Sequence, residues 1–176
     1  MFISGLPQNF RTGLKSGRIK SKISVSFAIK FNHMILKIFK GVWFFSLLTL
    51  LVVFFYVYAG LPAEVAFSES TSNLSISLNG FFYATILLFA VINVLVFVVN
   101  KLLSNGDQGF SSWFYGLVAT FNFFFLTSLG FIHIFNGGDR YDFSNMGPAI
   151  YGSLILLFLW MMSWPVFLLY RKIISR

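Results

Sequence analysis

One run of twenty residues limits what this chain can become. Gly41–Gly60, GVWFFSLLTLLVVFFYVYAG, carries no charged side chain. At 1.5 Å per residue, a helix of that length crosses the hydrocarbon core of a bilayer, which is about 30 Å thick. Three more runs of the same character follow, so the predicted spans are 41–60, 81–99, 110–134 and 148–170. Only 10% of the 176 residues are charged, and mean hydropathy is +0.82. A soluble domain carries about 25% charged residues. So few charges cannot cover a water-facing surface, but they suit one that faces lipid. The predicted fold is an all-α membrane protein, a four-transmembrane-helix bundle whose first partner is the lipid bilayer.

The cations orient it. Eight of the 13 Lys and Arg precede the first span: Arg11, Lys15, Arg18, Lys20, Lys22, Lys30, Lys37 and Lys40. Lys101 lies between spans 2 and 3, Arg140 between spans 3 and 4, and Arg171, Lys172 and Arg176 close the chain. Lysine and arginine collect on the cytoplasmic side. Both termini are therefore expected in the cytoplasm, with Arg140 as the lone outer cation, and the protein is expected in the cell inner membrane. The same distribution accounts for the net charge of +8. The cations sit beside the ends of apolar runs and form no basic face on a folded platform, so no nucleic-acid partner is expected. The chain has no cysteine, which excludes disulfides, thiolate metal sites and cysteine nucleophiles.

Residues 1–40 form a basic, acid-free arm, 41–170 the four-span domain and 171–176 a basic tail. Two periods compete in the arm. Ile23, Val25, Phe27, Ile29 and Phe31 alternate as in a strand, whereas Ile19, Ile23, Phe27, Phe31, Ile35 and Phe39 recur every four, near a helical stripe. Its composition also suits an organellar leader. In another reading Met34 is the start of the mature protein, because residues 1–33 add nothing that the spans require.

Leu61-Pro62 ends the first span. In the loop that follows, Val65 and Phe67 alternate with small or polar neighbours, as do Leu74, Ile76 and Leu78, around the turn-like Ser70-Thr71-Ser72-Asn73. This predicts a small β-hairpin in the first outer loop. Asn79-Gly80 opens span 2. The turn 100–109 is short enough to make spans 2 and 3 antiparallel neighbours. Trp43, Tyr56 and Tyr58 read as aromatics at the membrane interface. Pro165 predicts a kink in span 4.

With these boundaries no Asp, Glu, Lys or Arg lies inside a span, which counts against an ion-coupled transporter. Asn93 and Asn122 are the deepest strongly polar side chains. They either bond to each other across helices or contact a polar solute. Gly116 and Thr120 have the small-xxx-small spacing that lets helices approach closely. His133 and Ser153 stand at similar depth near the outer ends of spans 3 and 4. Tyr151-Gly152-Ser153-Leu154 lacks the glycine expected after a nucleophile on a strained elbow, so no hydrolase dyad is expected. His133, Asp139, Arg140 and Asp142 form an outer-face cluster that reads as a solvated turn, or as a contact for a cation or a partner loop. No catalytic residue, cofactor site or metal site is expected.

From Met34 onward, Tyr56-Val57-Tyr58-Ala59-Gly60-Leu61-Pro62-Ala63-Glu64-Val65, Tyr151-Gly152 and Ser163-Trp164-Pro165 resemble small four-span membrane proteins of bacteria. Some of these carry a DNA topoisomerase label, which the residues here do not support: there is neither a soluble DNA platform nor an acidic metal site. Leu61-Pro62 and Val65 also resemble a domain of unknown function in toxin-immunity membrane proteins. That domain's His-Phe-Asn and Gly-Asp positions are replaced here by Ser68-Glu69-Ser70 and Ser72-Asn73. The expected function is non-enzymatic: an accessory or assembly subunit that meets other membrane subunits, or copies of itself, by lateral contact. The alternatives are a small-solute transporter or passive pore that uses Asn93 and Asn122, and an envelope-stress or toxin-immunity factor.

Overall fold

The computed structural model describes residues 8–67, 75–104, 106–137 and 147–174, with side chains from residue 31 onward. The elements are α1 (Gln8–Gly60), β1 (Glu64–Ala66), β2 (Ser75–Ser77), α2 (Leu78–Leu102), α3 (Gln108–Asn136) and α4 (Gly147–Ile174). Four stretches are long and apolar enough to cross a membrane: Phe31–Gly60, Leu78–Leu102, Gln108–Asn136 and Gly147–Ile174. The architecture is an all-α, multi-pass bundle with a two-stranded cap.

The conflict of periods in the arm ends in favour of the helix. The sequence has no proline between Pro7 and Pro62, and α1 runs unbroken for 53 residues. A helix satisfies its own backbone, whereas a strand in the arm would need a partner strand. At 1.5 Å per residue α1 is about 80 Å long, well beyond a bilayer's thickness. No break marks the predicted boundary at Gly41.

The other helices start at capping side chains. The Ser77 hydroxyl accepts from the Gly80 N–H at 3.2 Å and opens α2, two residues before the predicted Asn79-Gly80. The Asp107 carboxylate accepts from the N–H groups of Gly109 and Phe110 at 2.8 and 3.3 Å and opens α3. Gly106, one residue earlier, has φ +82°, a conformation that glycine adopts at little cost. Between α2 and α3 only residues 103–107 are needed to turn the chain. α4 continues through Pro165.

α3 is the hub. It holds eight buried residues, whereas α4 holds two, Ser153 and Leu157. α3 packs most extensively on α1, then on α4 and α2, and among the described residues α4 approaches no other element at backbone level. Side-chain contacts give the directions. Trp43 meets Tyr115 at one end and Tyr56 meets His133 at the other, so α1 and α3 are parallel. Phe89 meets Phe125 and Asn93 meets Asn122, while Trp113 meets Trp160 and Thr127 meets Ser153, so α2 and α4 both run antiparallel to α3.

Two apolar cores result. The larger lies toward the hairpin and contains Leu50, Phe54, Val57, Leu61, Val65, Phe81, Phe89 and Leu129. Phe54 is its centre, with rings of Phe82 and Phe89 each 5.6 Å away. The smaller lies toward the opposite, basic end and contains Val96, Tyr115 and Val118.

The hairpin pairs Glu64 with Ser77, Val65 with Ile76 and Ala66 with Ser75, antiparallel. Leu78, expected to extend the second strand, is the first residue of α2. The turn-like Ser70–Asn73 lies outside the described residues. A two-stranded hairpin is marginal alone, and this one is held in three ways. Val65 is fully buried in the larger core. The Leu78 N–H donates to the Ala63 carbonyl at 2.9 Å. On the outer edge of β1, the Asn136 amide of α3 accepts from the Ala66 N–H at 2.8 Å and donates to the Ala66 carbonyl at 3.1 Å. One side chain thus occupies the place of a third strand and covers the open edge.

Candidate functional site

Between the two cores, α1, α2 and α3 meet through polar side chains. Asn93 and Asn122 face each other as a reciprocal amide pair: Asn93 Nδ2 donates to Asn122 Oδ1 at 3.0 Å, and Asn122 Nδ2 donates to Asn93 Oδ1 at 3.1 Å. The second hydrogen of Asn93 goes to the Phe89 carbonyl at 2.9 Å, and that of Asn122 to the Ser46 hydroxyl at 3.0 Å. Trp43 of α1 completes the set. Its indole N–H donates to Asn93 Oδ1 at 2.9 Å, while the Ser46 hydroxyl donates to the Trp43 carbonyl at 2.8 Å. An amide has two donor hydrogens, and an indole or a hydroxyl has one. Every donor in the group is therefore engaged. Asn122 is 1% exposed and Asn93 6%, so neither meets water or lipid.

This arrangement adds a role that the expectation for Trp43 did not include: its indole turns into the bundle, between the rings of Tyr115 at 5.5 Å and Phe97 at 5.7 Å. Sequence reasoning missed it because an aromatic near a span's end has the same signature whichever way it points. Ser46 was missed because one hydroxyl in an apolar run is unremarkable.

The same packing moves Lys40. A boundary at Gly41 puts Lys40 outside the first span. In the fold, Lys40 Nζ lies 5.6 Å from the centroid of the Tyr115 ring, about 10 Å along α3 from its first residue. Lys40 thus precedes the charge-free run 41–60 in sequence, while its ammonium group lies over a ring of the third apolar run.

The seam between α3 and α4 is built differently. The Trp113 indole donates to the Trp160 carbonyl at 3.0 Å and to the Ser163 hydroxyl at 2.9 Å, and the Trp160 indole donates to the Trp113 carbonyl at 3.0 Å. Gly116 makes room for this exchange, since a Cβ there would lie 2.3 Å from Trp160 Cζ2. Thr120, its partner in the small-residue spacing, bonds within its own helix to the Leu117 carbonyl.

His133 and Ser153 are not hydrogen-bonded to each other. The Ser153 hydroxyl donates to the Ile150 carbonyl at 2.8 Å and lies 3.0 Å from Thr127 Oγ1. His133 packs at a tilt against Tyr56, with ring centroids 5.6 Å apart, and reaches Gly60, where a Cβ would lie 3.0 Å from its Cε1. His133 Nδ1 is buried without a partner, as is Asn100 Oδ1 at the other end of the bundle. Asp139, Arg140 and Asp142 lie outside the described residues. Among the described residues no three His, Cys, Asp or Glu side chains converge to hold a metal.

Cavities among the described residues flank the bundle. One of about 490 Å³ lies toward the basic end, among Asn32, Phe39, Gln108, Trp113, Leu159 and Ser163. Another, about 330 Å³, lies beneath the hairpin between α2 and α3, walled by Phe81, Phe89, Phe125 and Ile132. Neither is lined by a titratable side chain, so neither assembles a nucleophile with a base or a pair of proton-transfer groups. Comparison with known proteins finds no family whose pattern matches this chain, no matching curated protein and no matching solved structure.

Proposed function

We propose that this chain is a non-enzymatic integral protein of the cell inner membrane, with both termini in the cytoplasm. It acts by lateral contact, as an accessory or assembly subunit of a larger membrane complex. The observation that carries this reading is the junction of Trp43, Ser46, Asn93 and Asn122. All of its donor hydrogens are directed at one another or at main-chain carbonyls, which leaves none for a passing solute. The outward surface supports it as well. α4 presents Leu154, Ile155, Phe158, Leu159, Phe167 and Leu169 to the outside and keeps little of itself against the bundle. Such a face is available to a neighbouring helix at no cost in buried polar groups.

Blue-native electrophoresis of membranes solubilised in mild detergent tests the reading. Migration within a larger assembly is expected; migration only as a 20.0 kDa species contradicts it. Replacing both Asn93 and Asn122 with Leu separates it from a small-solute pore. Loss of assembly is expected, whereas loss of solute flux at normal membrane levels would favour the pore.

A further inference from the structure

The fold holds the ammonium group of Lys40 over a buried ring. Tyr115 beneath it is 7% exposed. The Tyr115 ring packs on Trp43 and the Trp43 ring on Phe97, which joins α1, α3 and α2 in one aromatic row. Lys101 follows Phe97 by four residues, one helical turn toward the basic end and on the same side of α2. Lys37 precedes Lys40 by one turn on α1. All three lysines are exposed on the outside of the bundle. The acids of the described residues are Glu64, at the hairpin end, and Asp107, whose carboxylate caps α3. Neither forms an ion pair with Lys40.

A cation at this depth without a carboxylate needs a counter-charge from its surroundings. We propose that Lys40 and Lys101, on the two sides of the Trp43–Phe97 contact, hold the phosphate of an anionic phospholipid. Three features select that occupant. A lysine has a long apolar stem that can lie on a helix surface while its ammonium group meets a lipid phosphate at the border of the hydrocarbon, and Lys40 and Lys101 are both exposed near the basic end of the bundle. A phosphate offers several charged acceptor oxygens, enough to take an ammonium group from α1 and another from α2. The Trp43–Phe97 contact supplies an apolar floor for the first carbons of the acyl chains. The inference does not depend on an assembly partner and stands or falls separately from the accessory role.

The test is native mass spectrometry of the full-length chain in detergent, titrated with phosphatidylglycerol or phosphatidylcholine of identical acyl chains. The wild type is expected to retain phosphatidylglycerol about tenfold better. Lys40→Gln and Lys101→Gln should each bring the two lipids close to parity, while Lys40→Arg keeps part of the preference. Arg171→Gln, which removes one charge from the end of α4, should leave the preference unchanged. An equal loss in Arg171→Gln would overturn the site in favour of diffuse charge. So would undiminished preference in Lys101→Gln, an exposed position whose substitution leaves the core intact. Inorganic phosphate at millimolar concentration should not displace the lipid; if it does, the site takes a free anion and lipid is not its ligand.

Discussion

The junction of α1, α2 and α3 and the seam between α3 and α4 lie in the same bundle, yet different chemistry holds them. At the junction, two buried carboxamides, an indole and a hydroxyl bond to one another across three helices. At the seam, two indoles bond to main-chain carbonyls and to a serine that already donates within its own helix. Between spans in lipid the hydrophobic effect contributes little, so helices associate through polar pairs or through close backbone approach. The junction uses the first means, and the seam uses both: Gly116 gives the close approach, while Trp113 bonds to Ser163 and Thr127 Oγ1 lies 3.0 Å from Ser153 Oγ. The consequences of separation differ. Pulling the junction apart leaves amide groups in hydrocarbon without partners. Pulling α4 away frees two indole N–H groups, while the carbonyls keep their helix bonds. α4 is therefore the element whose separation strands the fewest polar groups.

The largest expected effect is at the junction. Asn93→Leu strands the Trp43 N–H and one hydrogen of Asn122, and should destabilise the protein by about 2–3 kcal/mol in detergent unfolding. Asn93→Leu combined with Asn122→Leu should cost less than the sum of the two single changes, because removing both partners strands fewer groups. An additive result would mean that the two amides are not coupled. At the seam, Gly116→Ala should cost about 2 kcal/mol, because the Trp160 ring must move. Hydrogen exchange should then rise in α4 while the junction residues keep their protection; uniform loss would contradict the separation drawn here. Trp113→Phe removes two hydrogen bonds without creating a void the size of a ring, and should cost about 1 kcal/mol. The smallest global effect is expected for Asn136→Ala, well under 1 kcal/mol in unfolding. Its signature is local: faster exchange at the Ala66 amide, which loses its acceptor. An unchanged Ala66 rate would show that Asn136 does not cover the hairpin's edge.

Some of this is legible in the sequence, for a physical reason. Spans announce themselves by the absence of charge over twenty residues, and the four helices contain the runs 41–60, 81–99, 110–134 and 148–170. Two amides deep in apolar runs stand out because each must find a partner, and Asn93 and Asn122 lie within hydrogen-bond distance of one another. What was not readable depends on which way a side chain turns. Trp43 and Lys40 sit where an interfacial residue is expected, and only the parallel packing of α1 on α3 turns one into the bundle and lays the other on Tyr115. Asn136 looks like an ordinary helix-end asparagine until the hairpin edge is set beside it. The hub role of α3 leaves one faint trace, the small residue at Gly116.

The central claim is that lipid surrounds this bundle and that its mid-span polar groups face inward. With no cysteine in the sequence, single cysteines can be read without background. The decisive measurement compares Glu64→Cys with Val94→Cys, both exposed on the bundle, using a membrane-impermeant maleimide on sealed spheroplasts. Glu64→Cys should label promptly, and Val94→Cys should stay unlabelled until the membrane is dissolved in denaturing detergent. Prompt labelling of Val94→Cys in the intact membrane would put water where the account puts lipid, and would contradict it.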